Sequence, residues 1–299
     1  ILEKSRQVGA TVFVHAENGE ILNFLRSECV KKGQLTPHYH YVSRPPFTEA
    51  EAVRRAIYLA GQTDTPLYIA HMTCREAIAE LQKAKGTGQR VSGETCTHYL
   101  TTTKEVLDNP DFNEAAKFVC SPALRDREDC EALWQALSDG LLTAVSSDHC
   151  GIDVAELKQA GRNDFTQIPN GSPGAGDRLH MVWTEGVCTG KLTRQKFVDV
   201  IATQPAKING IYPRKGTLAV GSDADVVIFD PNYEGTVHLA DNPNGVDYNL
   251  YEGRRQSGRV ETVLLRGQVV VENAKFVGRY GQGKFIPANM YASGYENRN

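Results

Sequence analysis

Between residues 11 and about 208, short apolar runs alternate with longer stretches whose apolar residues recur every three or four positions. The first pattern suits a buried parallel strand and the second a helix packed on it. Their alternation predicts βα units and a parallel sheet. Residues 11–16 read as a strand, and 18–32 as a helix with Ile21, Leu22 and Leu25 on one face. A polar, proline-containing loop is expected over 33–46. Thr48-Glu49-Ala50-Glu51 reads as a capping box that starts a helix over 47–62. A strand over 66–71 precedes a helix over 74–86, and Arg90–Thr95 reads as the next strand. A helix over 128–139 stops at Gly140, followed by a strand over 142–147. Residues 151–178 are rich in Gly, Asn and Pro and read as a long functional loop. Helices are expected over 178–190 and 193–208.

The pattern then changes. Gly216–Asp230 is turn-rich, and Val263–Val271 and Phe276-Val277 are strand-like with hairpin turns. A small β module is expected over 211–285. About four barrel-type strands precede it, where a closed (β/α)8 barrel needs eight. Ile1-Leu2-Glu3-Lys4 reads like the interior of a helix running to Gly9, so the chain is expected to be the C-terminal part of a longer protein.

Three of the apolar runs end in a metal-type ligand. Val12-Phe13-Val14 leads to His15, Leu67–Ala70 to His71, and Thr143–Ser147 to Asp148. A side chain at the carboxyl end of a buried parallel strand points into the mouth of an α/β barrel, where active sites of that fold lie. Two histidines and an aspartate placed there can hold a catalytic zinc and leave a position open for water. Each residue also has a plainer reading. A histidine ending an apolar run is more often structural, and Ser-Asp before a loop is a common helix cap.

Composition narrows the partners. The chain is 40% apolar and 23% charged, with net charge −3 and a pI near 6.3. That leaves no basic footprint for nucleic acid or an anionic membrane. No apolar run approaches the ~20 residues of a membrane span. Seven scattered cysteines without a C-x-x-C pair read as reduced thiols in a cytoplasmic protein.

Seven segments form an ordered set: His-Ala-Glu-Asn-Gly at 15–19, Ser-Arg-Pro-Pro at 43–46, Gly-Glu-Thr-Cys at 93–96, Cys-Ser-Pro at 120–122, Ser-Asp-His-Cys at 147–150, Ile-Pro-Asn-Gly at 168–171, and 213–225. In order and spacing, from His15 to about Pro287, the chain resembles the dihydropyrimidinase/D-hydantoinase family of the amidohydrolase superfamily. The resemblance implies a (β/α)8 barrel with a β-sandwich: 1–210 as the C-terminal half of the barrel, 211–285 as part of the sandwich and 286–299 as a tail. It implies hydrolysis of cyclic amides at two zinc ions, with His15 and His71 as ligands on the fifth and sixth strands and Asp148 on the eighth. The zinc ions lower the pKa of the attacking water and polarise the carbonyl. Asp148 also takes the proton from that water and delivers it to the leaving nitrogen. Ser121 and Asn170 match positions that bind the imide edge of the ring, chiefly through backbone groups. The family's first-strand His-x-His pair, carboxylated lysine and oxyanion tyrosine have no match here, so the chain holds about half of the metal site. A homotetramer is implied, with Gly283–Pro287 reaching a neighbour.

Other chemistry-bearing residues have plainer readings. His38-Tyr39-His40 has His-x-His spacing but is expected in a surface loop. Cys96-Thr97-His98 reads as a chance pairing, and His149 as either catalytic or else structural or supporting. Cys120 and Cys150 read as small buried residues. Gly171–Gly176 lacks the lysine and preceding strand of a phosphate loop, and the Gly/Asn-rich run 168–176 reads instead as a substrate loop. Two functional alternatives remain. One is an allantoinase or dihydroorotase, the latter needing a cationic group with no clear candidate here. The other is a non-enzymatic scaffold of the collapsin-response-mediator type, against which His71 and Asp148 speak.

Overall fold

The structure is a computed structural model and describes residues 1–289. After a short helix α1 (Leu2–Gln7), four strands follow in chain order: β1 (Val12–Val14), β2 (Leu67–Ile69), β3 (Val91–Cys96) and β4 (Ala144–Ser146). They form one parallel sheet in the order β1-β2-β3-β4. Val14 pairs with Ile69, Ile69 with Gly93, and Cys96 with Ser146, so the carboxyl ends lie at one edge of the sheet. β2, bonded on both sides, is wholly buried, whereas the edge strand β1 leaves Phe13 half exposed against Tyr68.

Helices occupy the connections: α2 (Gly19–Lys31), α3 (His38–Val42), α4 (Pro46–Gln62), α5 (Arg75–Gly86), α6 (Thr97–Thr101), α7 (Phe112–Ala116) and α8 (Arg127–Ser138). Asn18 caps α2 by accepting from the Ile21 amide. α4 starts with Pro46 in its first turn, where a missing N–H costs nothing. Its buried face runs through Ala52, Val53, Ile57 and Ala60, the spacing of a helix laid on a sheet.

Three expectations are corrected. The 33–46 segment is not all loop, since His38–Val42 form α3. Thr48 and Glu49 lie inside α4 rather than capping it: Thr48 bonds the Pro45 carbonyl, and Glu49 is buried against Thr73 and Arg125. The last two helices are interrupted. α9 (Arg178–Val182) widens into a π turn over Trp183–Val187; α10 (Arg194–Val198) widens over Asp199–Thr203 before α11 (Gln204–Ile208). Pro205, without an N–H and too bulky for the carbonyl four residues back, accounts for the second widening.

A separate antiparallel sheet, β5 (Val226–Thr236), β6 (Arg255–Leu265), β7 (Gln268–Glu272) and β8 (Lys275–Phe276), forms the β module. Its last two hairpins turn on Arg266-Gly267 and Asn273-Ala274, all four at positive φ, as tight two-residue turns require. Trp183, Phe197 and Phe229 pack edge to face and tie this sheet to the helical layer, with Trp183 4.8 Å from Phe229 and 5.3 Å from Phe197. The fold is therefore α/β, with a parallel sheet and a separate antiparallel sheet, consistent with the part of a barrel plus part of a β-sandwich that the resemblance implies. Among the described residues, no helix is long and apolar enough to cross a membrane.

Candidate active site

β1 and β2 deliver two histidines to the same place. His15 follows β1, His71 lies two residues beyond β2, and His15 Nδ1 stands 2.9 Å from His71 Nε2. The other nitrogen of His15, Nε2, is 3.0 Å from Glu17 Oε2, which also accepts from Arg44 Nη1 at 2.7 Å. The Glu17 side chain is almost fully buried. Burial alone would raise its pKa, but the hydrogen bond from His15 and the charge of Arg44 outweigh it and bring it down to about 2. An ionised Glu17 can only accept, so His15 donates to it from Nε2, and in the neutral ring Nδ1 then offers a lone pair. With His15 neutral, His71 Nε2–H is the donor across that contact, and His71 Nδ1 is buried without a partner.

Both His71 and Asp148 sit at positive φ, 36° and 44°. Left-handed backbone is tolerated by Asp and His better than by most residues, and it clusters at functional sites. Burial, then the neighbouring His15, lower the pKa of His71, while the charge of Asp148 opposes them. Asp148 is thus within electrostatic reach of His71. His15 and Asp148 are exposed, whereas His71 is buried, so the strand ends form an open-mouthed site.

These residues match a metal centre in part. Two imidazole nitrogens on one tetrahedral zinc stand about 3.3 Å apart at bond lengths near 2.05 Å. The 2.9 Å spacing of His15 Nδ1 and His71 Nε2 is close to that, and both would present lone pairs once the His71 proton moves to its orphaned Nδ1. Glu17 is placed where a carboxylate would orient His15 if that ring held a metal. Among the described residues, however, no group of three His, Cys, Asp or Glu side chains converges to hold a metal ion. His15 and His71 are brought together; Asp148 is near but does not complete the set.

Ser121 and Asn170 also meet, Ser121 Oγ donating to Asn170 Oδ1 at 2.9 Å. The Gly171 amide donates to Val119 O at 3.0 Å, so the two segments run side by side. His149 holds the 170s loop through the Gly174 amide, 3.3 Å from its Nδ1, and through a β bridge to Ser172.

His38-Tyr39-His40 needs correction. His40 is not on a surface loop but buried, with Nε2 2.7 Å from the Cys120 carbonyl. Burial pushes its pKa down to about 3. Cys120 is buried, as expected, and Cys150 is half-buried.

Glu17, Arg44 and Glu94 carry no assignment in the sequence reading, although each lies inside a quoted motif. Glu94, on β3, accepts from Tyr68 Oη at 3.0 Å. Burial is the main cause that raises its pKa, and the charge of Asp148 adds to it. The signal for Glu17 was its place two residues after His15; no local signal marks Arg44, whose contact comes through tertiary packing.

The Amidohydrolase family model matches residues 1–270. The chain belongs to the amidohydrolase family. It is 47% identical over 290 residues to a D-hydantoinase of Ralstonia pickettii, covering 97% of this chain and 63% of that protein. It is 39% identical over 285 residues to a dihydropyrimidinase of Arabidopsis thaliana, covering 95% of this chain and 54% of that one. Among solved structures, the dihydropyrimidinase from Brevibacillus agri NCHU1002 matches with a TM-score of 0.96 at 43% identity, over 97% of this chain and 63% of its own. The amidohydrolase chain thus spans less than two thirds of the length of these relatives.

Proposed function

We propose that this chain is part of a metal-dependent cyclic amidohydrolase that opens dihydropyrimidine or 5-substituted hydantoin rings. The observation that carries the reading is the strand-end pair His15–His71, with facing nitrogens 2.9 Å apart and Glu17 behind. The similarity to proteins named D-hydantoinase and dihydropyrimidinase supports the substrate class.

His15 and His71 would hold the metal, with Asp148 beside them. Zinc, the metal proposed here, would lower the pKa of the attacking water and polarise the ring carbonyl. Glu17 fixes the His15 ring so that Nδ1 faces the site. Asp148 accepts the proton that water loses on attacking the carbonyl, and passes it to the ring nitrogen as the C–N bond breaks. Backbone N–H and C=O groups at Ser121 and Asn170 match the donor–acceptor edge of an imide. The two-zinc centre of this reading also needs an His-x-His pair and a carboxylated lysine from outside this chain. The 299 residues alone are therefore expected to be inactive. We further propose a cytoplasmic homotetramer contacted through Gly283–Pro287; the apolar residues Met290, Tyr291 and Tyr295 of the same tail lie outside the described residues.

The test uses the intact, zinc-loaded protein and follows loss of dihydrouracil absorbance. Wild type should turn over, and His15→Ala and His71→Ala should each lose most of the zinc and the activity. Asp148→Asn should lower kcat more than it raises KM. Wild-type zinc content and kcat in either histidine variant would refute the ligand assignment. A wild type that opens no cyclic amide would point to the scaffold alternative.

A further inference from the structure

The loop between β4 and α9 holds a lysine that the chemistry above does not use. Lys158 is completely buried. Its ammonium donates to Val119 O at 3.2 Å and to Gly171 O at 2.8 Å. Among the described residues, no carboxylate pairs with it. Burial pushes its pKa down to about 8, with the nearby Cys120 and Cys150 thiols opposing that shift. A buried cation satisfied only by neutral carbonyls carries a large desolvation cost, and an apolar side chain of similar length would fill the space without it. A positive charge kept in such a place calls for a reason other than stability.

The two carbonyls supply that reason. Val119 lies two residues before Ser121, and Gly171 directly follows Asn170. The ammonium has three N–H groups and reaches both segments at once. Charge-assisted bonds of this kind are roughly twice as strong as neutral ones. The lysine is itself fixed from behind. Its amide donates to Asp153 O at 3.1 Å, and the Val154 and Ala155 amides donate to the Asp247 carboxylate at 2.9 and 2.7 Å. The 170s segment is held on its far side as well, where the Cys150 amide donates to Ser172 O at 3.0 Å and Ser172 Oγ to Lys117 O at 2.7 Å.

We propose that Lys158 is a positioning residue whose ammonium ties the backbone at Val119 to the backbone at Gly171 and so sets the spacing of Ser121 and Asn170 for the substrate. This rests on the reading of those two residues as substrate contacts. Lys158 touches no reacting atom; it acts through the two segments it joins.

The test substitutes Lys158→Met in the intact, metal-loaded protein. Val119 O keeps its bond from the Gly171 amide, and the buried charge is removed, so the variant is expected to fold with little change in Tm. KM for dihydrouracil should rise about tenfold while kcat stays within about twofold. Amide hydrogen exchange at 119–121 and 170–172 should quicken about tenfold, with β2 unchanged. A purely structural lysine would instead lower Tm and leave KM alone, and that result overturns the proposal. Lys158→Leu serves if Lys158→Met does not fold. If the wild type opens no cyclic amide, the functional reading fails by itself. The exchange experiment then decides: quickening confined to the two segments supports the tie, and unchanged exchange refutes it.

Discussion

Arg44 donates to the Glu17 carboxylate at 2.7 Å, and Glu17 in turn holds the Nε2 face of His15. The salt bridge is almost fully buried, with side-chain exposures of 10% for Arg44 and 2% for Glu17. It turns an acidic residue that would otherwise be a liability in the interior into a fixed support for a strand-end histidine. Glu17→Gln leaves the shape but removes the charge that fixes the His15 tautomer. Zinc affinity of the intact protein is expected to fall 10- to 100-fold. Competition with a chromophoric chelator measures it, and an unchanged affinity would show that His15 needs no orienting carboxylate.

A second buried pair supports the neighbouring strand end. Glu49 accepts from Arg125 Nη2 at 3.0 Å and from the Thr73 amide at 2.8 Å, two residues beyond His71. Arg125 also bonds Thr73 Oγ1 at 2.8 Å and the Arg44 carbonyl, linking the two networks. Glu49→Ala strands a buried guanidinium and is expected to cost about 3–5 kcal/mol in urea unfolding. Adding Arg125→Met should recover a large part of that loss. A double variant as unstable as the sum of the singles would mean that the pair is not coupled.

Gly171 has φ of +128°, and a Cβ there would lie 2.5 Å from Cys150 Cβ. Gly171→Ala therefore meets both backbone strain and a clash, at an expected cost of about 1–3 kcal/mol. Thermal unfolding checks the stability. On the proposal that the preceding residue, Asn170, contacts the substrate, KM should rise with it.

His40 makes stability depend on pH. Its pKa is held near 3 by burial, against about 6.5 in the unfolded chain. The unfolded state therefore binds a proton first as the pH falls. The contribution is complete above pH 6.5 and is lost progressively between 6.5 and about 3, by roughly 1.4 kcal/mol per pH unit. Denaturant titrations at pH 7, 6 and 5 should show His40→Gln losing less stability per unit than wild type. Parallel slopes would mean that His40 does not report this difference.

The strand-end histidines were legible because two signals coincided, an apolar run and a ligand at its carboxyl end. His15 and His71 each close a short run of Val, Ile, Leu or aromatic residues, and the parallel sheet places such ends together. The role of Glu49 was not legible. Thr48-Glu49-Ala50-Glu51 has the spacing of a capping box, but the helix had already begun at Pro46, and Thr73 and Arg125 claimed the carboxylate. His38-Tyr39-His40 looked like loop because Pro37 precedes it, yet Pro37 starts a turn of helix whose His40 reaches the Cys120 carbonyl.

By itself the sequence determined the βα order, a small strand-and-hairpin module after it, and which histidines end strands. All of these follow from local periodicity, from backbone preferences and from the length of each run. Only the tertiary structure decided that Glu17 bridges His15 and Arg44, that Arg125 answers Glu49, and that Lys158 joins Val119 to Gly171. Apart from His15 and Glu17, which are two residues apart, these partners are 27, 76, 39 and 13 residues apart along the chain. A charged group removed from water must be answered by whatever donor or acceptor the packing brings within about 3 Å, and no local pattern of residues names that partner in advance.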